Sequence, residues 1–191
     1  MRRVLVTGGA GFIGSSFIRY GLQKISGCGR LVNLDALTYA SDLNNLASVA
    51  DDARYCFVQG DIRDESLIKR LCADEGIDTL VHFAAESHVD RSITRPRVFI
   101  ETNVLGTQAL LEVVRQFPSI HFHHISTDEV YGSLGPKGNL MRNPPTSPIL
   151  LTQLRRRLQI TSSEPMHTPM ALPIRFRIAR IIMALVNMSR N

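Results

Sequence analysis

Hydrophobic residues along the chain fall into short runs separated by polar turns and helical patterns. Val4-Leu5-Val6, Arg30–Asp35, Tyr55–Val58, Thr79–Phe83 and Ile120–Ser126 each read as a strand. The first of them, an unbroken apolar run, is of the kind that fills a strand buried on both faces. Between them the period becomes helical. Phe12 opens an apolar pattern through Phe17, Ile18 and Leu22. A polar helix is predicted near Asp42–Val49, another over Asp64–Ala73, and a long one from Pro96 to about Phe117. Strand and helix alternate in this way along the chain. The order predicts an α/β fold, a doubly wound parallel sheet with right-handed crossovers.

The first strand runs into Gly8, Gly11 and Gly14, and the first helix starts within that triplet. Glycines at this spacing let the backbone turn sharply, approach a pyrophosphate and pack helix on strand. The helix start offers free N–H groups and a positive dipole end to the phosphates. The second strand ends in Asp35, 21 residues after Gly14. A carboxylate at that interval reaches the adenosine ribose hydroxyls and repels a 2′-phosphate. The pattern predicts a Rossmann-type lobe that takes NAD in preference to NADP.

Further candidates follow in chain order. Leu37-Thr38-Tyr39 can continue around the adenosine. Asp61 and Ile62 follow the third strand: the carboxylate can accept from an adenine amino group while Ile62 packs on the ring, or Asp61 can cap the next helix. Ala84 and Ala85 are small enough to let a cofactor lie against the fourth strand's carboxyl end. Asn103, a poor helix former inside the long helix, either bridges to a neighbouring strand or sits on the surface. His121, His123 and His124 lack an acid or cysteine at ligand spacing, so they read as strand residues and no metal is predicted. Asp128 and Glu129, just past the fifth strand beside Thr127, are either an acid/base pair held in two environments or a solvated acidic loop.

Charge divides the chain. Residues 1–138 hold 14 Lys+Arg against 16 Asp+Glu, while residues 139–191 hold 8 Arg, no Lys, no Asp and only Glu164. All 13 glycines lie before residue 139; six of nine prolines and five of six methionines lie after it. The net charge of +5 therefore describes no single basic face, and no nucleic-acid partner is predicted. There is no apolar run long enough to span a bilayer and no signal-peptide pattern at the start. Cys28, Cys56 and Cys72 make no CxxC and read as free thiols of a reducing cytoplasm.

The motifs TGGAGFIG at Thr7–Gly14, LDALTYA at Leu34–Ala40, GDIRD at Gly60–Asp64, FAAESHVDRSI at Phe83–Ile93, IETNVLGT at Ile100–Thr107 and HHISTDEVYG at His123–Gly132 cover nearly all of residues 1–138. Together they resemble the extended short-chain dehydrogenase/reductase family. Within it they are most similar to the lyases that dehydrate a nucleotide-activated glucose. The first motif is shared with many sugar-nucleotide epimerases and reductases; AAESHVDRS with STDEVYG is more specific, because epimerases generally lack the Asp-Glu pair. The resemblance implies that Phe12, Ile13, Asp35, Ala36, Leu37, Thr38, Asp61, Ile62, Phe83, Ala84, Ala85, Glu86, Ser87 and Thr102 line an NAD site, with Ser87 touching substrate as well. It implies that Thr127 hydrogen-bonds the sugar near its C4 oxygen, Asp128 protonates the leaving C6 hydroxyl and Glu129 takes the C5 proton.

The chain departs from the family after residue 138. The family's Tyr-x-x-x-Lys has no counterpart, since residues 139–191 contain neither tyrosine nor lysine, and its sugar-binding second lobe is not expected within these 191 residues. A one-base frame shift between about Lys137 and Pro145 would account for this. If each codon takes the last base of the preceding one, His167 becomes Ala, and Ala171 and Ala184 become Gly. Thr146–Leu172 can then be read as YQPNSPYSATKAASDHLVRAYAHTYGL, which restores a Tyr at the position of Thr152 and a Lys at that of Arg156. Residues 139–191 are therefore expected to be an irregular, out-of-frame tail with no domain of their own. The resemblance implies a homodimer paired through helices, one of which would follow the missing Tyr, so dimerisation is in doubt for this chain.

Overall fold

The computed structural model of the chain describes residues 1–25 and 27–126. Five strands, β1 (Arg2–Thr7), β2 (Cys28–Asp35), β3 (Tyr55–Gln59), β4 (Thr79–His82) and β5 (His121–His124), form one sheet in the order β3-β2-β1-β4-β5. Every pairing is parallel. Helix α1 (Phe12–Lys24) and a 3₁₀ helix, Leu43–Val49, cover one face; α2 (Glu65–Asp74) and α5 (Thr107–Gln116) cover the other. Those are the faces that right-handed crossovers demand.

The unbroken apolar run Val4-Leu5-Val6 is explained by this layering. Along β1, Leu5 enters a core with Val32, Leu34, Leu80, Phe122, Ile68, Leu110 and Val113. Its neighbour Val6 enters the opposite core, with Ile18, Leu22, Leu31, Leu46 and Val49. Both faces of the central strand are thus buried, and each fully buried Leu, Ile or Phe contributes about 1.5–3 kcal/mol. Beyond α1, the same face over β4 and β5 forms an apolar groove of ≈ 500 Å³ lined by Val81, Phe83, His123 and Ile125 among others.

Several elements differ from expectation. The segment near Asp42–Val49 is 3₁₀ rather than α; Leu46 and Val49 are its buried residues, and their spacing of three matches the 3₁₀ period. Strand β5 ends at His124 instead of Ser126, although Ile125 N–H still reaches His82 O at 3.1 Å. A short helix, α3 (Val89–Thr94), stands where no element was predicted, ending at Arg95 before Pro96. The long helix is continuous but changes geometry. It is α-helical over α4 (Pro96–Ile100), a π-helix over Glu101–Gly106, then α5. Local π turns of this kind cluster at functional sites, and Asn103 lies inside this one. Asn103 is fully buried, which removes the surface alternative; it bonds the loop after β4 rather than a strand.

Candidate active site: a groove at the carboxyl ends of the strands

The strand ends open into a groove of ≈ 530 Å³. Its floor is the turn from β1 to α1. Gly8 has φ +73°, a conformation that L side chains rarely adopt, and a Cβ there would lie 2.6 Å from the Ala84 backbone. A Cβ on Gly14 would lie 2.2 Å from Gly8 O, so only glycine lets helix and turn meet. Helix α1 starts at Gly11 with no side-chain cap, leaving its first-turn N–H groups to face the groove. Phe12, read as the start of the apolar stripe, is instead 72% exposed and borders the groove. The inward face of α1 is Gly14, Ser15, Ile18, Gly21 and Leu22.

Asp35 is only 4% exposed. Its carboxylate accepts from Ala10 N–H (2.9 Å), Leu37 N–H (2.9 Å) and the Ser41 hydroxyl (2.8 Å). It therefore fixes the glycine turn and the loop that follows β2. A carboxylate offers about four acceptor positions, so one remains for a ligand. Leu37 takes a left-handed φ of +53°, and its bond to Asp35 offsets that conformation.

Asp61 is not the cap of α2; Asp64 caps it, accepting from Leu67 N–H at 2.9 Å. Asp61 pairs with Arg63 through both oxygens, at 2.7 and 3.0 Å, and this bonding lowers its pKa. Arg63 also reaches Glu101 at the start of the π-helix, at 3.3 Å. Asp61 and Ile62 both border the groove, with Ala36, Thr38 and Thr102. Of the fourteen residues expected to line an NAD site, Leu37 alone does not line the groove itself.

On the opposite side Phe83, Ala84, Ala85, Glu86 and Ser87 line the wall. Glu86 is 7% exposed, and its Oε2 is buried with no hydrogen-bond partner among the described residues. A buried carboxylate oxygen left unbonded is costly, which makes it a place for a ligand donor. Ala40, Ser41, Gly60 and Ser126, which no spacing argument had singled out, also border the groove. Thr127, Asp128 and Glu129 lie outside the described residues, as does the tail over residues 139–191.

Beneath the groove runs a buried polar chain that the sequence did not announce. Thr107 donates its hydroxyl proton to Asn103 O at 3.0 Å and so acts as acceptor toward His82 Nε2 at 3.1 Å. That network assigns His82 the Nε2–H tautomer, with Nδ1 accepting from the Thr7 hydroxyl at 2.7 Å. Burial, and then the neighbouring His124, hold the His82 pKa well below its ordinary value. Both groups keep the ring neutral in its bonded frame.

A five-stranded parallel sheet with a glycine-built helix start at its carboxyl edge defines a Rossmann-type α/β protein. The chain belongs to the family described as GDP-mannose 4,6 dehydratase, whose model matches residues 5–148. It is 51% identical over 153 residues to a dTDP-glucose 4,6-dehydratase of Xanthomonas campestris pv. campestris (strain B100), a match covering 75% of this chain and 43% of that relative. In structure it is similar to the dTDP-glucose 4,6-dehydratase of Bacillus anthracis str. Ames in complex with NAD, with a TM-score of 0.82 and 37% identity over 93% of this chain and 54% of that one. A dTDP-glucose 4,6-dehydratase of Streptomyces venezuelae with NAD and TYD bound also aligns with a TM-score of 0.82, at 43% identity over 92% of this chain and 54% of that one. The chain thus spans about half the length of the relatives it matches.

Proposed function

We propose that the chain carries the NAD-binding lobe of a dTDP-glucose 4,6-dehydratase, an NAD-dependent lyase of nucleotide-sugar metabolism. The observation that carries this reading is the pairing, in one groove, of the glycine cradle at Gly8 and Gly14 with the unbonded carboxylate oxygen of Glu86. The α1 N–H groups would hold the pyrophosphate. The remaining acceptor of Asp35 would take a ribose hydroxyl, and its charge disfavours a 2′-phosphate. Glu86 Oε2 would accept from a second ribose or the carboxamide. When bound, NAD supplies an acceptor for hydride from sugar C4 and returns that hydride at C6. Ser87, exposed on the groove wall, would touch both cofactor and sugar. By similarity Thr127 would bond near the C4 oxygen, Asp128 would protonate the leaving C6 hydroxyl and Glu129 would remove the C5 proton.

The absence of Tyr and Lys from residues 139–191 favours a second element of the reading. Residues 1–138 are the NAD-binding domain, residues 139–191 are an out-of-frame tail, and the chain as written binds NAD without turning sugar over. It would remain monomeric and, by its chemistry, cytoplasmic; among the described residues no helix is long and apolar enough to cross a membrane.

Equilibrium dialysis of the 191-residue chain against labelled NAD tests the cofactor. Saturable binding is expected, and its absence overturns the reading. Incubation with dTDP-glucose should give no 4-keto-6-deoxy sugar; appreciable product would refute the inactive tail. Nucleotide sequence across residues 137–145 should offer the alternate frame. In a frame-restored protein, Asp128→Asn and Glu129→Gln should each abolish elimination and leave NAD binding intact.

A further inference from the structure

The loop after β2 and the segment after β4, which flank the cradle, touch each other through Tyr39, His88 and Arg91. Because β1 lies between β2 and β4, the loop after β2 and the loop after β4 stand on opposite sides of the β1–α1 turn. Both line the groove, one through Ala36, Thr38, Ala40 and Ser41, the other through Ala84, Ala85, Glu86 and Ser87. Tyr39 projects from the first loop. The Arg91 guanidinium of α3 lies 3.8 Å from its ring centroid, and the His88 ring meets it edge-on at 6.4 Å.

We infer that Tyr39 and Arg91 form a clasp across the mouth of the dinucleotide groove, governing how fast a nicotinamide dinucleotide enters and leaves. The inference rests on the NAD reading above. Three features support it. Asp35 ties its loop down at Leu37 and Ser41, so Tyr39 is presented by a fixed turn rather than a free strap. Asn103 ties the opposite loop down at Glu86. The stack itself is 48% exposed at Tyr39, so it can part without disturbing either core. Tyr39 and Arg91 are thus positioning residues, acting on the ligand by joining two walls.

A gate slows both directions of exchange, whereas a damaged site speeds release alone. Stopped-flow fluorescence of NADH with the full chain separates these. Tyr39→Ala and Arg91→Ala should each raise both association and release rates, by about five- to tenfold, with thermal midpoints unchanged. The double variant should do no more than either single one, and Tyr39→Phe, which keeps the ring, should stay near wild type. Unchanged rates in Tyr39→Ala and Arg91→Ala, or faster release with unchanged association, would overturn the clasp while leaving the NAD site standing. Failure of the unaltered chain to bind NADH at all would overturn the site reading, and the clasp with it.

Discussion

Asn103 and Glu86 hold each other twice. Asn103 Oδ1 accepts the Glu86 N–H at 2.8 Å, and Asn103 Nδ2 donates to Glu86 O at 2.9 Å. One side chain inside a helix thereby satisfies both backbone groups of a loop residue whose own carboxylate faces the candidate site. The cost of an asparagine in a helix interior is set against two buried bonds.

Removing that link should loosen the wall of the groove. Asn103→Ala leaves a buried donor and acceptor on Glu86 unpaired and should cost about 2–4 kcal/mol of stability. Asn103→Asp keeps the acceptor but loses the donor, and should also be destabilised. Urea unfolding measures both; an unchanged midpoint in Asn103→Ala would contradict the assignment.

His82 should make stability depend on pH. Its folded pKa lies below the ordinary value because of burial first and His124 second. The unfolded side chain titrates near 6.5, so the unfolded state binds its proton more readily. The stability from neutral His82 is therefore complete above about pH 6.5 and is lost as pH falls toward the folded pKa. Urea midpoints between pH 8 and pH 5 should decline, and His82→Gln should be less stable at pH 8 and flatter with pH. A slope as steep in the variant would assign the effect elsewhere.

Two glycines of the same turn should respond differently. A Cβ on Gly11 meets nothing closer than 3.4 Å, whereas one on Gly14 would sit 2.2 Å from a backbone oxygen. Gly11→Ala should keep its stability within about 1 kcal/mol and weaken NAD binding through the added methyl at the cradle. Gly14→Ala should lose both stability and binding. Thermal melts with and without NAD distinguish the two, and a Gly14→Ala protein that melts normally would contradict the packing.

The cysteines should react in order of exposure. Burial pushes the Cys72 thiol up to about 11, and the residue is 3% exposed. Cys28 and Cys56 are half-buried. Brief iodoacetamide treatment of the native chain at pH 8, read by peptide mass spectrometry, should leave Cys72 unmodified while labelling proceeds at the other two. Early loss of the Cys72 thiol would mean that α2 opens readily.

Much of the architecture was legible because local chemistry forced it. Val4-Leu5-Val6 had to be a doubly buried strand, and Gly8 and Gly14 left room for one kind of turn. Asp35 was found by spacing, but spacing could not reveal that Ala10, Leu37 and Ser41 already hold its carboxylate. Asp61 looked able to cap α2, and only the structure showed that Asp64, read as the first helical residue, is the cap. Phe12 counted toward an apolar stripe until the helix was placed with that ring outward.

By itself the sequence determined the alternation of strands and helices, the glycine cradle and the acidic end of β2, since each depends on neighbours a few residues apart. The tertiary structure alone decided the contacts between distant segments: His82 between Thr7 and Thr107, Asn103 on Glu86, Tyr39 under Arg91. Those contacts join residues up to 75 positions apart. Their formation depends on which strands lie side by side, a property of the whole chain that no short stretch of residues encodes.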